Sequence, residues 1–243
     1  AKVGPAARSI DECLALARTD MTVRTTLLEA RFLAGDEGLA DLMIRRFRDM
    51  VAKADPRPFI AIAEHLLTDG FAAPRILARD LDDGLVLIED FGDLRVKEHL
   101  DARPDEEMAV YARAIDLLAD LHRLPAASLP AYDRAVYQRE AGLLTEWYCP
   151  AIGQSVDGVA YTKAWDAVLP LVEQSASPTV TVLRDYHAEN IMLIDRAASH
   201  GLGLLDFQDA LAGHPAYDLV SLLQDARRDV PPAVEAAMLA HYK

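Results

Sequence analysis

The feature that most constrains this chain is the run Leu183-Arg184-Asp185-Tyr186-His187-Ala188-Glu189-Asn190, followed by Leu205-Asp206-Phe207-Gln208-Asp209. An Asp and an Asn stand five residues apart, and a second Asp follows a short apolar run. Phosphoryl transfer from a nucleotide needs this donor set: a carboxylate facing the attacking hydroxyl, and a carboxamide oxygen and a second carboxylate to hold Mg²⁺ on the phosphates. Asp185 would orient the hydroxyl or accept its proton. Asn190 and Asp206 would supply the oxygen donors that a hard cation prefers. Either fragment alone is common in proteins. Strand, loop, hairpin and Asp-Phe in this order are much rarer, and the rival reading is a polar β-hairpin with solvated acids.

The flanking pattern supports a hairpin. Val180-Thr181-Val182-Leu183 reads as a short strand that delivers the Asp185 loop. Ile191-Met192-Leu193-Ile194 and Leu202-Gly203-Leu204-Leu205 read as paired strands around a polar loop, which would bring Asn190 and Asp206 to one end of a hairpin. Around this centre Arg184, His187, Gln208, Asp209 and Asp218 are candidate supporting or substrate-contacting groups. Gly213 to Leu219 is expected to open a helix running through Leu223.

Upstream, residues 104–124 give the clearest helix. Pro104, Asp105, Glu106 and Glu107 suit its N-terminus, and Met108, Tyr111, Ile115, Leu118 and Leu121 follow at helical spacing. His122 at its end reads as structural. Residues 135–149 and 160–174 read as further helices. Phe59, Ile60, Ala63, Leu66 and Leu67 form a helical stripe ended by Asp69-Gly70, and two strands follow around Arg75–Ala78 and Gly84–Glu89. Glu89, Asp90 and Phe91 then form an acidic link, either an ordinary polar turn or a segment whose backbone meets a nucleotide base.

Charge is uneven. Residues 1–53 hold nine Lys/Arg against eight Asp/Glu, and the remainder holds 16 against 31. That step marks a boundary near Ala54. The overall charge of −14 argues against nucleic acid as a main partner. No apolar run is long enough for a membrane span, and the first residues lack a signal-peptide pattern. Cys13 and Cys149 read as free thiols of a reducing compartment, and no Cys/His cluster has zinc spacing. Residues 9–53 read as three helices capped at Ser9, Asp20 and Asp36; Gly35 and Gly38 are a helix stop and start, and do not form a phosphate-cradling loop.

Arg184-Asp185-Tyr186-His187-Ala188-Glu189-Asn190, Asp206-Phe207-Gln208-Asp209 and Gly213-His214-Pro215-Ala216-Tyr217-Asp218-Leu219 together resemble the aminoglycoside phosphotransferase and choline kinase family from about Asp55 onward. The wording of the first two is most similar to the bacterial anomeric kinases of N-acetylmuramate and N-acetylglucosamine used in cell-wall recycling. The resemblance implies an α+β, protein-kinase-like fold with a mostly helical large lobe, ATP and Mg²⁺ as cofactors, a small sugar as substrate and a cytoplasmic location. It implies Asp185 as the catalytic base, Asn190 and Asp206 as metal ligands, and Glu89, Asp90 and Phe91 as the nucleotide-binding link. Leu183 stands where the family usually has a His.

Residues 1–53 instead resemble a helical segment of the uridylyltransferases of the PII protein, without that family's Gly-Ser and Asp-x-Asp motifs. The implied organisation is a helical N-terminal segment at 1–53, a truncated or replaced small lobe with its hinge at 54–93, and a large lobe at 94–243. No Gly-rich loop is visible. Lys53 is the only lysine near the place of the phosphate-binding Lys, and Glu64 stands where its partner would. The expectation is therefore an ATP-dependent phosphotransferase acting on an amino sugar. The alternative is a weak or inactive kinase-like fragment or fusion that serves as a binding module.

Overall fold

The structure, a computed structural model, describes residues 55–242 apart from Asp83 and Ala197. The readings for residues 1–53, Lys53 and Cys13 included, lie outside the described residues. Pro56–Leu81 and Leu85–Lys243 form one compact unit.

The long helix α3 (Glu107–His122) is its axis. Val110, Tyr111, Ala114, Ile115, Leu117, Leu118 and Leu121 recur every three or four residues and are all buried. A 3₁₀ turn, Pro104–Glu106, leads into it, as the proline and acids there require. Against this core pack α1 (Arg57–Thr68) through Ile62, Ala63 and Leu66, and α2 (Val96–Ala102) through Val96 and Leu100. From the other side come the loop residues Tyr186 and Phe207 and the last two helices, α6 (Ala216–Leu223) and α7 (Pro232–His241). Each of these large apolar side chains contributes roughly 1.5–3 kcal/mol when fully buried.

Among the described residues the strands form three antiparallel pairs. β1 (Ile76–Asp80) pairs with β2 (Leu85–Ile88), β3 (Val180–Val182) with β6 (Leu211–Gly213), and β4 (Ile191–Leu193) with β5 (Leu202–Leu204). The β4–β5 register sets Ile191 opposite Leu204 and Leu193 opposite Leu202, as the apolar runs predict. Segment 91–95 lies along this hairpin: the Leu193 N–H donates to the Leu94 carbonyl at 2.8 Å, and the Phe91 ring packs on Gly203.

Three sequence expectations change. Gly213 does not open a helix; it ends β6, whose pairing with β3 closes the sheet under the Asp185 loop. The helix expected over 135–149 is α4 (Arg134–Leu143), capped by the Asp133 carboxylate, then a π-helical turn at Leu144–Tyr148 and a last turn at Cys149–Ala151. The helix expected over 160–174 divides at Pro170 into α5 (Gly158–Val168) and the turn Pro170–Glu173. Cys149 is a buried free thiol.

Candidate active site

β3 feeds directly into the loop 183–190, and the loop is held from three sides. The Asp218 carboxylate, wholly buried on α6, accepts the Leu183 N–H at 2.7 Å and the Arg184 N–H at 2.9 Å. The Ser221 hydroxyl, one helical turn on, donates to the Arg184 carbonyl at 3.1 Å. The buried Tyr186 hydroxyl donates to the Ala114 carbonyl on α3 at 2.7 Å. The Arg184 guanidinium reaches Glu140 on α4 at 2.5 Å and the Asp209 carbonyl at 3.4 Å. Glu140 in turn accepts the Tyr132 hydroxyl.

This scaffold leaves the Asp185 side chain 43% exposed at the mouth of the loop. Asn190 sits between the two acids. Its Nδ2 donates to the Asp185 carbonyl at 3.1 Å and stands 3.4 Å from Asp206 Oδ2. The same nitrogen lies 3.2 Å from His187 Nε2. The Leu205 N–H donates to the Asn190 carbonyl at 3.0 Å, so β4 and β5 meet where Asn190 and Asp206 stand. Gln208 Nε2 donates to Asp206 Oδ1 at 2.6 Å. Phe207 is buried and stacks on Phe59 of α1, with centroids 5.0 Å apart and planes 11° apart, which pins the Asp206 turn to the core.

Electrostatics follow from this crowding. Burial, then the negative charge of Asp206, pushes the Asp185 carboxyl above its ordinary value, against the cations His187, Arg184 and Arg227. Burial and the Arg227 charge push the His187 imidazole down. Burial pushes Asp218 up to about 7, although its two backbone hydrogen bonds favour the ionised form. Asn190 and Asp206 offer hard oxygen donors beside a second carboxylate, and the mutual repulsion of the two acids is what a divalent cation relieves. The donor set therefore fits Mg²⁺, which takes one or two protein ligands and completes its shell with water and phosphate oxygens.

The structure brings Asp185, Asn190, Asp206, His187, Gln208, Arg184, Asp209 and Asp218 into one neighbourhood. Glu89, Asp90 and Phe91 lie apart from it, beside β5. Partial burial acts to raise the Glu89 carboxyl, but hydrogen bonds from Arg75 and Arg196 outweigh it and hold that group below its usual range. Asp90 accepts the Gly92 N–H at 2.8 Å, and Arg196 lies over the Phe91 ring. What this link can offer a nucleotide base is its backbone, since the Glu89 side chain is engaged. Glu64 faces solvent and pairs with Arg79 at 3.5 Å. Sequence reasoning missed Glu140, Ser221, Asp225 and Arg227. Only the Arg227-Arg228 doublet gave a local signal; Glu140 and Ser221 act on Arg184, which is far away in the chain.

Comparison with known proteins gives the family. A family profile described as the phosphotransferase enzyme family matches residues 26–243. The chain belongs to that family. The N-acetylmuramate/N-acetylglucosamine kinase of Caulobacter vibrioides is 36% identical over 197 residues, covering 76% of this chain and 54% of the relative. The chain thus spans about half the length of the curated phosphotransferases it matches. An aminoglycoside phosphotransferase from Streptomyces rimosus, solved with ADP and streptomycin, superposes with a TM-score of 0.56 at 18% identity, covering 79% of this chain and 78% of that one. The protein-kinase-like α+β fold is therefore the fold of this chain. A segment of 60 residues, 25% of the chain, is 55% identical to the bifunctional uridylyltransferase/uridylyl-removing enzyme of Phenylobacterium zucineum and spans 6% of it. Among the described residues, no helix is long and apolar enough to cross a membrane.

Proposed function

We propose that this phosphotransferase moves the γ-phosphoryl group of ATP to a hydroxyl of an amino sugar, in the cytoplasm, as part of cell-wall sugar recycling. The observation that carries the reading is the placement of Asn190, bonded to the Asp185 carbonyl and 3.4 Å from Asp206, which joins the base side and the metal side of one site. In the proposed roles, Asp185 orients the sugar hydroxyl and takes its proton. Its raised proton affinity makes it a better acceptor than a solvated carboxylate. Asn190 and Asp206 would hold Mg²⁺, which supplies charge neutralisation on the phosphates. Gln208 and Asn190 fix the Asp206 carboxylate, and Asp218, Ser221 and Glu140 fix the loop that carries Asp185. The backbone at Glu89–Phe91 would meet the base. Residues 1–53, 54–93 and 94–243 are proposed as an N-terminal segment, a small-lobe remnant with hinge, and a large lobe.

The names of the relatives support an amino sugar as acceptor, and the family supports a nucleotide donor. The test is turnover of Asp185→Ala and Asp206→Asn with N-acetylglucosamine and Mg·ATP. Both should lose activity by at least about a thousandfold while keeping the wild-type melting temperature within a few degrees. Full activity in either variant sinks the assignment. A second reading, a binding module with little activity, is favoured by the uridylyltransferase-like segment at the front of the chain. Titration with Mg·ATP separates the two. A saturable rise in Tm, worth about 2.7 kcal/mol at a hundred times Kd, supports the enzyme, and no shift at millimolar nucleotide supports the module.

A further inference from the structure

Beside the Asp185 loop lies a cleft of about 400 Å³. Tyr137 and Tyr217 give it aromatic walls, Ser221 joins it to the loop through the Arg184 carbonyl, and Asp225 and Arg227 line its polar side. Two cations act on Asp185 from protein side chains other than histidine, Arg184 and Arg227. They differ in what they have left to give. Arg184 is spent on Glu140 at 2.5 Å and on the Asp209 carbonyl. Arg227 is 47% exposed, and its ion pairs with Glu189 at 3.6 Å and Asp225 at 3.7 Å are both longer than hydrogen bonds. Its planar fork therefore keeps N–H donors for an oxyanion, and guanidinium geometry suits a carboxylate.

The surroundings make that cation matter. Asp185, Asp206, Glu189 and Asp225 all crowd the same region, so an acceptor carrying its own negative charge would be repelled unless a cation met it. A neutral acceptor feels no such penalty. N-acetylmuramate and N-acetylglucosamine differ by a lactyl ether whose carboxylate is ionised at neutral pH. We infer that Arg227, lining the cleft next to the Asp185 loop, is the residue that receives the carboxylate of an acidic amino sugar and sets the preference between acidic and neutral acceptors. This rests on the sugar-phosphotransferase reading above and deepens it.

The readout is the ratio of kcat/KM for N-acetylmuramate to that for N-acetylglucosamine, measured for the full chain and for Arg227→Ala and Arg227→Lys. A ratio cancels any general effect of removing a cation near Asp185, because that effect falls on both sugars. Losing a charge-assisted, two-pronged contact should lower the ratio roughly tenfold or more in Arg227→Ala, with Arg227→Lys between it and wild type. An unchanged ratio, with or without an equal loss on both sugars, overturns the inference. Calorimetry with each sugar alone keeps the two readings apart. If wild type phosphorylates neither sugar but binds N-acetylmuramate in an Arg227-dependent way, the inference stands and the catalytic reading fails. If it binds neither, both fail.

Discussion

Replacing Asp218 by asparagine tests the least exposed part of the site. Two forces compete there. Full burial disfavours the carboxylate charge, while the Leu183 and Arg184 N–H groups, at 2.7 and 2.9 Å, favour it. Burial wins, and the group titrates near 7 in the folded chain against an ordinary value of 3.8. The sign follows from proton counting. Between about pH 4 and 7 the folded state holds a proton that the unfolded state has lost, so this group makes the protein less stable as pH rises through that window. The slope is about 1.4 kcal/mol per pH unit within that window, or about 2.5 kcal/mol between pH 5 and pH 7.5. The carboxamide of the Asp218→Asn variant cannot ionise and resembles the neutral acid in shape. It keeps one acceptor oxygen but turns an NH₂ toward a backbone N–H, which costs roughly 1–3 kcal/mol. Asp218→Asn should therefore be less stable than wild type at pH 5, and the gap should close or reverse by pH 7.5. Urea unfolding of both proteins across this range measures it, and taking the difference cancels the other titrating groups. A gap that widens with pH would refute the reasoning, because it would mean that the two hydrogen bonds outweigh burial and hold the folded carboxyl low. Turnover should fall on the order of tenfold or more at all pH values, since the altered contact reorients the loop that carries Asp185.

Two further perturbations address how the hairpin and the Asp206 turn are held. A Cβ at Gly203 would sit 2.6 Å from the Phe91 ring, so Gly203→Ala should cost about 1–3 kcal/mol and lower Tm, and an unchanged Tm would show that the 91–95 segment does not rest on β5. The Phe59–Phe207 stack should show a coupling of about 0.5–1.5 kcal/mol in a double-mutant cycle with Leu at each position, and additive effects would remove α1 as a support of the Asp206 turn.

The sequence made the candidate site legible because the proposed reacting groups are close in the chain and flanked by apolar runs of the right period. Asp185 to Asn190 spans one loop, and Ile191–Leu193 with Leu202–Leu204 could pair in few ways that bury both faces. What supports those groups was legible only in part: Asp218 read as a candidate support of the loop, whereas Glu140 and Ser221 did not. Asp218 reaches back about 35 residues to the backbone of Leu183 and Arg184, and Glu140 reaches forward 44 to Arg184. Glu140 stands on α4, a helix with no buried residue, where periodicity carries little information. The strand Leu211–Gly213 was hidden because a three-residue segment beginning just after Asp209-Ala210 has no period to read, and its identity comes only from β3. Helix existence was recovered along α1 and α3, where apolar spacing is strong. Boundaries failed at Leu144 and at Pro170, where a π turn and a proline interrupt continuous patterns.

The strongest structural argument for a functional site here is where the backbone strain falls. Arg184 has φ of 73° and Asp206 has φ of 57°. Neither is glycine, and a side chain in this left-handed region costs roughly 1–2 kcal/mol. One of these residues immediately precedes the proposed base, and the other is a proposed metal ligand. Each is also over-determined by its surroundings. Arg184 is fixed at its N–H by Asp218, at its carbonyl by Ser221 and at its guanidinium by Glu140. Asp206 is fixed by Gln208 at its carboxylate, by the Leu205 N–H on Asn190 before it, and by the Phe59–Phe207 stack after it. Ser199 and His200, the other non-glycine residues with positive φ among the described residues, stand in the turn of the β4–β5 hairpin. A solvated polar hairpin, the rival reading of the motif, would have no reason to gather those contacts around Arg184 and Asp206. A site that must aim two carboxylates at one reacting centre does, because relaxing either residue would turn its acid away from the other.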